Sequence, residues 1–143
     1  MIRHVWTVLC SRAVIDIESH NVSIQNVLEQ LTVNGAPKPD GKIAIPMELI
    51  SSWTREEPGV PAAGEGRLSL YLPAGEKKEL LTFPIDLAEN NRARIRINIS
   101  ELPVPEGGRY LFCTEYRNDE KDSWRLVSQV PLDIIFQSEG EEE

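Results

Sequence analysis

The stretch Arg92-Ala93-Arg94-Ile95-Arg96-Ile97-Asn98-Ile99 alternates between polar and apolar residues without a break. In an extended chain successive side chains point to opposite faces. The spacing therefore places Ala93, Ile95, Ile97 and Ile99 on one face and Arg92, Arg94, Arg96 and Asn98 on the other. It predicts a half-buried antiparallel strand, with one face on a core and the other in water. Arg67–Leu72 repeats the rhythm, with Leu68, Leu70 and Leu72 inward, and Met47–Trp53 and Glu79–Phe83 are shorter versions. Tyr110, Phe112, Thr114 and Tyr116 make one face of a further strand. Trp124, Leu126, Ser128 and Val130 open the last one, which Pro131 interrupts before Leu132–Phe136. Proline has no N–H for a ladder, so an edge position or a bulge is expected at Val130–Leu132.

Toward the start, Val5–Cys10 reads as a strand that extends to Val14 or Ile15, followed by a polar turn over Asp16–Asn21. The run Val22–Val33 has two readings. Val27, Leu28 and Leu31 fit one face of a helix, with Ser23 and Asn26 as weak caps. The alternation of Val22 and Ile24 and the run Leu31-Thr32-Val33 favour a strand bulged near Asn26–Val27. Turn signals at Asn34–Gly41, Pro58–Gly66, Pro73–Gly75, Glu89–Asn91, Pro105–Gly108 and Asn118–Asp122 separate about eight strands. The Pro/Gly-rich stretch 54–66 is the longest irregular one and the best candidate for a mobile element. A sheet with one apolar face must cover it. Without amphipathic helices only a second sheet can do so, which predicts an all-β, antiparallel β-sandwich of immunoglobulin-like or C2-like type. The 143 residues suit one domain, assigned to residues 1–136, with an acidic disordered tail over 137–143.

The net charge is −8, and half of it sits in Glu139, Glu141, Glu142 and Glu143. A modestly acidic body without clustered Lys and Arg argues against nucleic acid as a partner. No apolar run approaches the ~20 residues that cross a bilayer. Val5–Cys10, closed by Arg12, is too short for a signal-peptide core, so the chain reads as cytoplasmic with no membrane partner. Cys10 and Cys113 lie far apart in strand-like runs with no CxxC, so they are expected as reduced, buried thiols. The two histidines, His4 and His20, lie near the start of the chain. There is no Gly-x-Ser-x-Gly, no phosphate-cradling glycine loop and no histidine-rich metal spacing. No enzyme activity and no cofactor are expected.

Three constellations remain. Glu106, Gly108 and Tyr110 match the corner of immunoglobulin-like sandwiches, in which a tyrosine hydroxyl pins the preceding turn. Gly108 and Tyr110 are thus assigned a structural role. Phe112 stands where those domains place a cysteine, so no inter-sheet disulfide follows. Asp16 and Glu18 in one turn, and Asp119, Glu120 and Asp122 in another, are candidate calcium ligands, because a hard cation gathers several oxygens. Lys121 intrudes and no Asp-x-Asp-x-Asp spacing exists, so solvated hairpin charge is the competing reading. Arg92, Arg94 and Arg96 form the strongest single-sign cluster. They are either a solvated sheet face paired with acids across strands or a surface for an acidic partner, since arginine forks suit carboxylates and phosphates.

The chain also resembles an uncharacterised family of bacterial and phage-associated domains of unknown function. The resemblance rests on an opening strand that runs into Cys10-Ser-Arg-Ala-Val-Ile-Asp16, the polar-led strand Asn21–Leu28, Pro46–Ile50, Leu102–Tyr110 and Val130-Pro-Leu132. It implies a small sandwich domain and transfers no functional residue. The expectation is thus a protein-interaction or assembly module that binds a protein partner or itself, through a sheet face or a strand edge such as Val5–Cys10. The alternative is a ligand- or calcium-binding sandwich using the acidic loops.

Overall fold

The computed structural model describes residues 1–138. Its strands are β1 (Ile2–Ile15), β2 (Val22–Val27), β3 (Gln30–Asn34), β4 (Lys42–Ile43), β5 (Met47–Arg55), β6 (Ala62–Tyr71), β7 (Lys77–Leu87), β8 (Arg92–Ile99), β9 (Leu102–Pro103), β10 (Gly108–Arg117) and β11 (Arg125–Gln137). They form a four-stranded sheet, β2-β1-β5-β8, a five-stranded sheet, β3-β11-β10-β6-β7, and the short pair β4-β9. The all-β sandwich follows from the two-residue rhythm. Leu9, Leu49 and Trp53 of one sheet meet Leu68, Leu70, Phe83, Ile85, Tyr110, Phe112 and Leu132 of the other in one buried core. Ile97 and Ile99 of β8 join it, with Ala93 and Ile95 packed at its margin. Among the described residues no helix is long and apolar enough to cross a membrane.

Three details depart from the sequence reading. First, Val22–Val33 is neither helix nor one bulged strand. Asn26 takes a left-handed conformation (φ 57°), and the chain then passes from one sheet to the other, β2 pairing with β1 and β3 with β11. Leu28, 8% exposed, is buried at the crossing. Because the chain keeps its direction as it changes sheets, β3 runs parallel to β11, and the sandwich is not purely antiparallel. Second, the irregular stretch at 54–66 shrinks to the residues between Arg55 and Ala62. Arg55 is buried, its guanidinium donating to Leu87 O, Ala88 O and Asn91 Oδ1, and Asn91 Oδ1 also accepts the Gly59 amide. Third, the bulge in β11 lies at the Ser128–Leu126 step, where the register with β10 shifts. It turns Leu126 outward, 51% exposed. Pro131 sits on an edge, because β3 pairs with β11 only from Asp133 onward. β11 runs through Gln137, one residue past the 136 boundary, and the glutamates of the tail lie outside the described residues.

Candidate functional site

The arginine row stands on the outer face of β8, the edge strand of the four-stranded sheet. Arg96 Nη2 lies 3.1 Å from Glu48 Oε2 and donates to Ala13 O at 2.9 Å. Arg94 donates to the carbonyl of His20. These two guanidiniums therefore brace β1 and the turn that follows it. Among the described residues Arg92 has no side-chain partner and is exposed. Of the three, it is the one that keeps its whole charge available to a ligand.

Next to this row the same face turns apolar. Ile50 alternates with the core residue Leu49 and with the buried Ser51, which accepts the indole N–H of the core Trp53. Ile50 therefore points away from the core, as do Val8 and Cys10 on either side of Leu9. Ile50, Cys10 and Ala13 form a second buried cluster, rimmed by the half-buried Trp6, Val8, Val22 and Ile24. The left-handed Asn26, whose side-chain amide donates to Ser11 Oγ at 2.8 Å, lies opposite the point in β1 where the apolar positions change step from Cys10 to Ala13. The outer face of an antiparallel sheet is ordinarily polar. Here an aromatic, three β-branched side chains and the arginines share one surface, a mixture in which aromatics and arginine are the residue types enriched at protein interfaces.

One flank of the sandwich is also open. β1 pairs with β5 over Ile2–Cys10 but with β2 only over Cys10–Ile15, so its first half has a strand on one side alone. β11 pairs with β10 from Arg125 but with β3 only from Asp133, so its first half is open too. Both openings end at the crossing between β2 and β3, where the Leu28 amide donates to Leu9 O at 2.9 Å and the Asp133 amide to Glu29 O at 3.0 Å. Two depressions lie along the seam between these half-open strands. One of about 310 Å³ is lined by Arg3, His4, Glu56, Tyr116 and Arg125. The other, of about 280 Å³, is lined by Thr7, Val8, Val27, Val130 and Pro131.

The acidic loops do not come together. Among the described residues no group of three or more His, Cys, Asp or Glu side chains could hold a metal ion. Asp16 instead caps its own turn, its Oδ2 accepting the Ser19 amide at 2.7 Å, and the Ser19 hydroxyl together with that amide draws its carboxyl below the usual range. Asp119 does the same for the Lys121 amide at 2.7 Å, while Glu18, Glu120 and Asp122 stand exposed. The Cys10 and Cys113 thiols are free and buried, and burial raises both above the ordinary thiol value. Tyr110 Oη donates to Glu106 O at 2.6 Å, and burial pushes the phenol up. Gly108 sits at φ 144°, and a Cβ there would lie 2.8 Å from Pro73 Cγ, so the corner has no room for a side chain.

Sequence reasoning missed a network on the outer face of the five-stranded sheet. The Trp124 ring is contacted by two guanidiniums, Arg67 at 4.5 Å and Arg117 at 4.2 Å. Arg67 forks onto Glu115, which also receives Lys77 at 3.2 Å, and Arg117 reaches Glu65. Burial raises the Glu115 carboxyl, but its bonds to Arg67 and Lys77 outweigh this and hold it below the usual range. The signal was present in the sequence as outward positions of opposite charge on strands that pair, yet only the register puts Arg67 opposite Glu115.

No family model matches the chain, and no curated protein matches it. Among solved structures it is similar to the N-terminal domain of PorA, at 11% identity and a TM-score of 0.34, over 92% of this chain and 98% of that one.

Proposed function

We propose that this β-sandwich is a non-enzymatic, cytoplasmic module for protein interaction or assembly. The observation that carries the reading is the second apolar cluster, Cys10, Ala13 and Ile50 rimmed by Trp6, Val8, Val22 and Ile24, on the sheet face turned away from the core. The centre of this cluster is buried, and its partly exposed rim of Trp6, Val8, Val22 and Ile24 beside unspent charge has the composition of a docking patch. Arg92 supplies that charge, and the exposed Ile17, Val5 and Val27 lie on or beside the strands that carry the patch. The test substitutes Val22→Lys and Ile24→Glu, both on the rim, with the fold checked by thermal unfolding. Purified chain is followed by light scattering, and partners are retained from an extract of its own cells. Loss of self-association or of a specific partner in the variant supports the reading. A native chain that stays monomeric at tens of micromolar and retains nothing overturns it.

A further inference from the structure

The open flank calls for a strand, and we infer that a second copy of this chain supplies it, its β1 adding antiparallel to the free half of β1 across a two-fold axis near Trp6. This site is distinct from the apolar outer-face cluster invoked above, although Val5, Trp6, Val8 and Val27 border both.

The hydrogen-bonding groups of β1 point the right way. In an antiparallel strand the N–H and C=O of one residue face the same side, and the next residue faces the other. Leu9 O faces the β2 side, since it accepts the Leu28 amide. Two residues earlier Thr7 faces that side as well, and β2 does not extend there. The neighbouring open edge, on β11, is blunted. Asp133 N faces the side of β3, so the missing N–H of Pro131 falls on the open side, and the register shift at Ser128–Leu126 breaks the line further. Proline and bulges are the ordinary means by which natural sheets close an edge. β1 has one bulge, at the His4–Trp6 step, so its free side carries the backbone groups of Thr7 and Leu9 beyond the bulge and of Ile2 and His4 before it. A pairing centred near Trp6 includes the bulge of both copies.

The charges select the partner. Arg3 and Arg125 line the outer end of the seam, with Glu56 as the one acid there, and neither arginine has an ion pair among the described residues. At the opposite end stands the exposed Glu29, beside an Arg109–Asp133 pair that already satisfies itself at 2.8 Å. A two-fold interface must be complementary to itself. Antiparallel pairing centred near Trp6 brings the end of each β1 that carries Arg3 alongside the Leu9 end of the other, where Glu29 stands. The apolar side chains agree, since the Trp6 rings of the two copies would meet at the axis, flanked by the exposed Val5 and Val27.

The experiment is light scattering of the full chain over a concentration series, with Arg3→Glu, Glu29→Arg, the two together, and Thr7→Pro. The native chain is expected at twice its 16.1 kDa mass. Each charge swap should raise the dissociation constant about tenfold, and the combined swap should restore it. Thr7→Pro should yield a folded monomer by near-ultraviolet circular dichroism. Should it not fold, the charge swaps, both on exposed residues, decide alone. A native monomer at all concentrations overturns the inference, as does a dimer indifferent to the swaps. If a monomer still loses a protein partner when Val22→Lys and Ile24→Glu are introduced, the self-pairing fails while the interaction-module reading stands.

Discussion

Arg96 and Glu48, joined at 3.1 Å, together satisfy both backbone groups of Ala13: Glu48 Oε2 accepts its amide at 3.0 Å and Arg96 Nη2 donates to its carbonyl at 2.9 Å. The pairing of β5 with β1 ends at Cys10, so Ala13 has no strand on that side, and the ion pair takes the place of the missing ladder. A polar backbone group left unmade in a buried position costs about 1–3 kcal/mol, and Ala13 is 2% exposed. Glu48→Ala and Arg96→Ala should each lower stability by about that amount in urea unfolding. Because the two act as one unit, the double variant should cost clearly less than the two losses added together. Simple additivity would mean that the pair does not act as a clamp.

His4 predicts a pH dependence. Its ring is 5.1 Å from that of Trp53, its Nε2 is 2.6 Å from Thr7 Oγ1, and burial lowers its pKa below the ordinary value, against a smaller opposite effect of the Trp6 backbone. The unfolded chain takes up a proton near pH ~6.5, and the folded chain only at lower pH. Between those values the unfolded state binds more protons, so stability rises with pH. The contribution is complete above ~6.5 and is lost as pH falls toward the folded value. Melting temperatures between neutral pH and pH ~5 should therefore fall, and His4→Gln should flatten the profile in that window. An equally steep slope in the variant would assign it to other groups.

Glu115 carries the opposite arrangement. Arg67 and Lys77 hold its carboxyl below the usual range despite its burial. Its contribution is then present above the unfolded value of ~4.3 and lost as pH falls through the folded one. Glu115→Gln should cost about 1 kcal/mol near neutrality, the lower end for charge-assisted bonds because Lys77 is partly exposed. Glutamine imitates the protonated acid, so native and variant stabilities should converge in acid. A constant gap across the whole range would show that the charge contributes nothing.

Much of the architecture was legible because one period dominates. Where residues alternate strictly, as in β8 and β10, the inward residues Ile97, Ile99, Tyr110, Phe112, Thr114 and Tyr116 are buried, although Cys113 on the opposite face of β10 is buried too. The failures fall where period is not the deciding force. Val22–Val33 alternates at both ends, but a left-handed Asn26 and the burial of Leu28 divide it between two sheets, and no local pattern reports a change of sheet. The polarity of an outer face cannot tell a free arginine from a bound one. Arg92, Arg94 and Arg96 look identical in sequence, and only the carbonyls of Ala13 and His20, brought alongside by β1, separate them. Acidic turns likewise read as cation ligands until Asp16 and Asp119 are found capping their own backbones.

Gly66 offers a test of the packing between β6 and β7. It lies directly opposite Phe83, and a Cβ at this position would stand 2.2 Å from Phe83 Cε2 and 2.3 Å from Cζ. The ring therefore rests on the bare backbone of the glycine, which explains a glycine in a strand interior, where it otherwise weakens the strand. Gly66→Ala must push the ring off its site and should cost about 1–3 kcal/mol, the usual range for overpacking. Phe83→Leu alone removes part of a side chain that is 9% exposed and should also destabilise. Combined with Gly66→Ala it should recover stability relative to the sum of the single effects, since the smaller side chain leaves room for the methyl. A coupling of at least about 0.5 kcal/mol in the double-mutant cycle is the expected result. Strict additivity would show that the ring of Phe83 is not what the added methyl meets.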